Sequence, residues 1–308
     1  MIEVDALSIQ YGNFHAIEGV SFNIQSGEVV GLLGHNGAGK TTIMKALTGF
    51  LEPTSGAVRI QDKDVQKHLT ETQKLIGYLP ENCPTYPEML VIEYLEYVAE
   101  LRGMAQSQIG DKVAQAIHRT HLEEKALALI STLSRGYRQR VGVAQAILHE
   151  PSILILDEPT NGLDPNQIED MRSLIRELSM KSTVILSTHI LQEVSAVCER
   201  VLILNRGRLA LDARLDDLGG QDALELVTNA ELHSLEQALE GLTNKGDIRL
   251  EGSLDGTFEY RIQSNKKGAA PDIARRIVER GIALHSLSPR RRSLESVFQD
   301  VSSGSAQE

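Results

Sequence analysis

Lys40, Thr41, Asp157, Glu158 and His189 are the residues of this 308-residue chain whose types and surroundings suit the handling of phosphate. Residues 34–42 read GHNGAGKTT, and Gly34 to Thr41 fit the phosphate-loop pattern GxxxxGK[ST]. The preceding EVVGLLG (28–34) predicts a buried strand entering the loop, and TTIMKALTG (41–49) predicts the helix leaving it. In that setting Gly37 and Gly39 let backbone N–H groups turn onto phosphate oxygens, an approach that larger residues would obstruct. The helix adds its positive N-terminal end. Lys40 would reach the outer phosphates of a nucleotide as a point charge, and the Thr41 hydroxyl would coordinate Mg²⁺.

Residues 153–159, ILILDEP, join an apolar run suited to a central parallel strand to two carboxylates at its expected end. An open α/β sheet presents its ligand site at such strand ends. Asp157 is the natural Mg²⁺ partner, directly or through water, and Glu158 can polarise an attacking water as general base. TVILST (183–188) is a further predicted strand, so His189 should emerge on the same surface. His118 and His121 lie three apart on a predicted helix without a carboxylate or cysteine nearby, and no metal site is expected there.

The elements that must position these groups divide the chain. Residues 1 to about 85 alternate strands with the loop and helix, and residues 150–218 resume the same sheet. Between them, about 86–149 carries helical patterns such as VIEYLEYVAELRGM (91–104) and IGDKVAQAIHRT (109–120). Beyond 218, predicted elements run strand (223–228), helix (230–240), two strands (247–252 and 257–263), helix (271–281) and strand (282–287). That order, β-α-β-β-α-β, predicts a small α+β domain of ferredoxin-like type over 219–308. A last helix is expected in RRRSLESVFQDV (290–301), with a disordered SSGSAQE end. Arg290, Arg291 and Arg292 read as a solvated charge run, with acidic lipid headgroups as the alternative partner.

Bulk properties exclude several classes. A net charge of -11 argues against broad nucleic-acid binding, so no direct nucleic-acid partner is expected. The N-terminus MIEVDALSIQ lacks the features of a signal peptide, and no apolar run approaches the roughly 18 residues needed to span a bilayer. Cys83 and Cys198 are too few for a disulfide framework and fit a reduced cytosol.

GHNGAGKTT, LSRGYRQR (133–140), ILILDEP and STH (187–189), in that order, resemble the ATP-binding-cassette (ABC) ATPases over about residues 2–218. The resemblance implies a P-loop ATPase sheet with an inserted helical subdomain, ATP and Mg²⁺ as ligands, and ATP hydrolysis. Carried over by motif, Tyr11 is similar to the aromatic on which adenine stacks, although taken alone it reads equally as a core or edge aromatic. Gly34, Asn36, Gly37, Ala38, Gly39, Lys40, Thr41 and Thr42 would surround the phosphates, with Glu81 near the metal. Ser134 and Gly136 belong to the family signature, Asp164 lies in the loop after the Asp157 strand, and His189 is similar to the family's γ-phosphate sensor. Arg135 and Tyr137 depart from the usual LSGGQ, and Glu81 stands where glutamine is common.

Because the family signature acts on the nucleotide of another chain, the resemblance also implies a homodimer or a paired ATPase subunit. Ser293, Leu294, Glu295, Val297 and Phe298, together with GYLPEN (77–82), resemble the exporter branch that includes drug-efflux and gliding-motility ATPase subunits. The ATPase that serves copper-site maturation of nitrous-oxide reductase is also similar in GHNGAGKTT and GYLPEN. The implied partner is a separate transmembrane permease at the cytoplasmic face of a bacterial inner membrane. A soluble, permease-free clamp with a regulatory or nucleic-acid-associated role is the alternative.

Overall fold

A computed structural model describes residues 1–218, 223–243, 246–254, 256–263, 269–289 and 294–303. Arg290, Arg291, Arg292, Ser293 and the 304–308 end lie outside the described residues. Two compact units emerge: Met1–Leu215 together with the chain from Asp300, and Asp216–Gln299.

The first unit begins with strands β1 (Ile2–Tyr11) and β2 (Phe14–Ile24), then β3 (Val29–Leu33) and helix α1 (Lys40–Leu47). Strands β4 (Ser55–Ile60) and β5 (Lys63–Asp64), helix α2 (Leu69–Gln73) and β6 (Ile76–Leu79) follow. Three helices come next: α3 (Val91–Leu101), α4 (Gln106–Arg119) and α5 (Arg135–Ile147). The chain returns through β7 (Ile153–Asp157), α6 (Pro165–Ser179), β8 (Thr183–Thr188) and α7 (Leu191–Val197). It closes with β9 (Arg200–Asn205) and β10 (Arg208–Arg214), and α8 (Leu215–Leu218) begins at the boundary with the second unit.

These strands build two sheets rather than the one the sequence reading anticipated. An antiparallel sheet has the order β2-β1-β4-β5, and a six-stranded sheet has the order β10-β9-β3-β8-β7-β6. The difference follows from burial. Strand β1 buries alternating stretches of one face, as an antiparallel sheet permits, whereas β3, β7 and β8 are buried at every residue, as a parallel sheet covered on both faces requires. Only β3 and β6 of the N-terminal region join the parallel sheet, in which β9, β3, β8, β7 and β6 all run the same way. One apolar core links Leu7, Ile17 and Phe22 of the first sheet, Ile43, Met44 and Leu47 of α1, and Val30, Leu32 and Ile155 of the second.

Helices α3, α4 and α5 lie in the chain between β6 and β7, and α3 and α4 each bury one stripe: Val91, Leu95 and Ala99 on α3, and Ile109, Val113 and Ala116 on α4. Helix α5 approaches β6 so closely that a Cβ on Gly77 would lie 2.2 Å from the Ala146 carbonyl oxygen. That contact leaves only glycine room at position 77.

The second unit contains β11 (Ala223–Thr228), α9 (Leu232–Ala238), β12 (Ile248–Leu254), β13 (Thr257–Gln263), α10 (Ala270–Glu279) and β14 (Leu284–Pro289). Its sheet order is β12-β13-β11-β14 with all pairs antiparallel, the arrangement of a ferredoxin-like split βαβ unit. Leu226, Tyr260 and Ile262 of the sheet pack with Leu235 of α9 and Ile273 and Ile277 of α10. Helix α11 (Leu294–Ser303) ends the described chain.

Candidate active site

The C-terminal ends of β3, β6, β7 and β8 converge on one side of the six-stranded sheet. There a cleft of about 520 Å³ is lined by Tyr11, Asn36, Gly37, Gly39, Lys40, Thr41, Thr42, Glu81, Glu158 and His189 among others. The structure therefore brings together most of the residues that the motifs singled out. Gly37 and Gly39 adopt φ of 81° and 108°, conformations that favour glycine, and a Cβ on Gly39 would come 2.4 Å from Ile17 Cδ1. Gly34 and Ala38 hold the loop from outside the cleft lining. The Gly34 carbonyl accepts from Lys40 Nζ at 2.7 Å, and the Ala38 carbonyl accepts from Gly207 N at 3.1 Å.

Lys40 is buried at the start of α1, and its Nζ also stands 3.4 Å from Glu158 Oε1. Glu158 is buried too, and its second oxygen lies 2.9 Å from His189 Nδ1. Its backbone is unusual: φ is +51° for a non-glycine residue, held by hydrogen bonds from Glu158 N to Ser187 O at 3.1 Å and to Ser187 Oγ at 3.2 Å. Ser187 Oγ also donates to Asp157 Oδ1. The other Asp157 oxygen, Oδ2, is buried and has no hydrogen-bond partner among the described residues. Asp157 is fully buried beside Glu158 rather than part of the cleft lining, yet an orphan carboxylate oxygen of this kind fits a divalent cation, for which the Thr41 hydroxyl and Glu81 are the oxygen groups that line the cleft. Burial first, and then the negative charges of Asp157 and Glu81, push the Tyr78 phenol above its ordinary range.

Three predicted residues lie elsewhere. Ser134 caps the N-terminus of α5, accepting from Tyr137 N at 3.4 Å, and Gly136 is buried where a Cβ would meet Gln167 Oε1 at 2.4 Å. Asp164 caps α6, accepting from Gln167 N at 3.0 Å. None of the three lines the cleft with Lys40. The departures in the signature have internal partners: Arg135 lies over Gly162, whose added Cβ would be 2.4 Å from Arg135 Cζ, and Lys125 Nζ sits 5.4 Å from the centre of the Tyr137 ring. His118 does have a carboxylate neighbour, Glu123 Oε1 at 2.8 Å, which the sequence reading did not foresee.

Sequence reasoning missed Phe14, Ala16, His35 and Asn161, which also line the cleft. Phe14 pairs with Tyr11 across a two-residue turn, and both rings are exposed. Two aromatics flanking the turn-forming pair Gly12 and Asn13 were the available signal.

Comparison with known proteins identifies the arrangement. The family profile described as ABC transporter matches residues 17–161. An uncharacterized ABC transporter ATP-binding protein of Bacillus subtilis, YdbJ, is 33% identical over 300 residues, covering 97% of this chain and 94% of the relative. The chain belongs to the ABC transporter ATP-binding proteins. As a member of that family it binds ATP and is an ATPase. The bacitracin transport ATP-binding protein BcrA of Bacillus licheniformis is 31% identical over 307 residues, covering 99% of this chain and 98% of that protein. Among solved structures, a dimeric post-hydrolysis state of the ATP-binding cassette MJ0796 bound to ADP and Pi superposes with a TM-score of 0.64. It is 25% identical and covers 70% of this chain and 99% of that one. No helix among the described residues of this ABC protein is long and apolar enough to cross a membrane.

Proposed function

We propose that this ABC ATPase is the motor subunit of a bacterial exporter, closing as a dimer around ATP and driving a separate transmembrane permease. The observation that carries the dimer is the placement of Ser134 and Gly136 away from the cleft that holds Lys40, Glu158 and His189. With the signature outside its own cleft, a single chain offers only part of a nucleotide site. The dimeric state of the MJ0796 cassette supports the reading.

Within each cleft, Tyr11 would support the adenine ring, and the loop from Gly34 to Thr42 would wrap the phosphates with Lys40 as their cation. Thr41 and Asp157 would hold Mg²⁺, with Glu81 beside it; that ion supplies charge neutralisation across the outer phosphates. Glu158 accepts the proton of the attacking water, and His189 senses the terminal phosphate from the opposite side of the carboxylate. Ser134 and Gly136 of the second chain complete the site, using the N-terminal dipole of α5. Asp164, capping α6, would order the loop between the two chains.

The permease part rests on a second feature. A groove of about 610 Å³ beside the α3 and α5 helices is lined mainly by apolar groups such as Phe50, Leu51, Pro80, Pro84 and Tyr94, with Asn82, the neighbour of Glu81, and Lys45, Arg102 and Gln145 among its polar members. Its apolar lining suits an amphipathic helix presented by a membrane partner, which would place the ATPase peripherally at the cytoplasmic face. The export direction rests on the exporter-branch resemblance of GYLPEN and of Leu294, Glu295, Val297 and Phe298; the name of BcrA records bacitracin transport.

Affinity capture from native membranes, comparing the wild type with Glu158→Gln in the presence of ATP, tests the proposal. Recovery of one polytopic permease with the trapped dimer is the expected result. Recovery of soluble partners alone, with the dimer still trapped, would replace it by a permease-free clamp.

A further inference from the structure

Glu193, on helix α7, is 1% exposed and takes no part in the chemistry above. No cation pairs with it among the described residues. Its Oε1 accepts from the Thr160 hydroxyl, and its Oε2 accepts from the Thr188 hydroxyl at 2.7 Å. Burying a carboxylate is costly even when hydroxyls satisfy it, so its position calls for a physical account.

The two threonines belong to the loops that carry the candidate catalytic groups. Thr188 directly precedes His189, and its hydroxyl also accepts from Ile190 N at 3.0 Å, so one oxygen fixes the backbone on both sides of the imidazole. Thr160 lies two residues after Glu158 in a tight turn, where Asn161 N donates to Glu158 O at 3.1 Å and Leu163 N donates to Thr160 O at 3.1 Å. Helix α7 is itself seated hard on the sheet, since a Cβ on Gly31 of β3 would come 2.8 Å from a Val194 methyl. One carboxyl group, anchored to the strand that feeds the phosphate loop, thus grips both the Glu158 loop and the His189 loop.

We propose that Glu193 is a positioning residue of the ATPase site, fixing the separation of Glu158 from His189 and thereby setting turnover rather than nucleotide affinity. The inference rests on the reading of Glu158 as base and His189 as phosphate sensor. Thr188 donates to Glu193 while accepting from Ile190, so loss of the carboxylate frees the hydroxyl to rotate and loosens both flanks of His189. Displacements of about an ångström at reacting groups cost roughly a hundredfold in rate.

The test measures kcat per nucleotide-bound chain and KM for ATP for Glu193→Ala, Glu193→Gln and Thr188→Val, with Glu158→Gln as control. Glu193→Ala is expected to lower kcat about 10- to 100-fold with KM within about threefold, because the separation of Glu158 from His189 is no longer fixed. Glu193→Gln, which keeps one acceptor oxygen, should fall between. Thr188→Val, close to isosteric, should act in the same direction, and combining it with Glu193→Ala should add little. If Glu193→Ala does not fold, Thr188→Val carries the same expectation alone. Unchanged kcat per bound chain, or a lowered kcat matched by an equal loss of ATP affinity, overturns the inference. A dead Glu158→Gln beside unimpaired Glu193 and Thr188 variants sinks this inference only, whereas an active Glu158→Gln sinks the underlying reading of the site.

Discussion

His189 Nδ1 lies 2.9 Å from Glu158 Oε2, and the other oxygen of that carboxylate faces Lys40 Nζ at 3.4 Å. Glu158 is therefore held between an imidazole and an ammonium, on a backbone with φ of +51° that costs on the order of 1–3 kcal/mol to maintain. Ser187, which receives the Glu158 N–H through both its carbonyl and its hydroxyl, holds that conformation in place.

From this geometry, Glu158→Gln should keep the hydrogen bond to His189 while losing the basicity. Phosphate release is expected to fall about 10²- to 10⁴-fold with little change in affinity for a fluorescent ATP analogue. A fall of less than about tenfold would remove Glu158 from the role of base.

Asp157 Oδ2, buried and unpartnered, gives a separate prediction for the metal. Asp157→Asn should raise the Mg²⁺ concentration needed for half-maximal turnover about 10- to 100-fold, and chelation of Mg²⁺ should abolish turnover of the wild type. A Mg²⁺ titration at fixed ATP measures this, and an unshifted curve would place the metal elsewhere.

Gly77 joins the parallel sheet to the helical insertion at a distance that no side chain can enter, since its Cβ would stand 2.2 Å from the Ala146 carbonyl oxygen. Gly77→Ala must push α5 away from β6. Urea unfolding should show a loss of about 3 kcal/mol, far beyond the usual surface Gly→Ala change.

His149 supplies a pH dependence. Burial first, and then the charge of Arg102, lower its imidazole from 6.5 to about 4, while its hydrogen bond with Ile76 O opposes the shift. The unfolded chain therefore binds the proton more readily. The His149 contribution to stability is fully present above pH 6.5 and is lost as pH falls from there toward about 4. Between pH 7.5 and 5 the wild type should lose about 2 kcal/mol more unfolding free energy than His149→Gln. Parallel losses in the two proteins would show that His149 does not titrate as described.

Legibility in the sequence followed the range of the interactions. Lys40, Asp157 and Glu158 were readable because each sits at a fixed offset from an apolar run, and the strand-end rule then groups them. The β-α-β-β-α-β order of the second unit was readable for the same reason, from strand alternation and helical stripes. The split of the strands into two sheets was not, because it depends on which faces α1 covers. Nor was Glu193, since one acid in a short helix reads as a solvated residue until the loops of Thr160 and Thr188 are folded against it. Arg135 and Tyr137 looked like perturbations of the signature, and only tertiary contacts with Gly162 and Lys125 show where their side chains go.

The central claim, that a working site needs two chains, is tested most directly by mixing two inactive variants. Lys40→Ala destroys the cleft and leaves the signature; Ser134→Arg does the reverse. If the signature acts across the dimer, the mixed pair contains one intact site, and ATP turnover should rise well above the sum of the separately assayed variants. A mixture that never exceeds that sum, although native mass spectrometry shows the mixed dimer at twice the 33.8 kDa chain mass, would contradict the account.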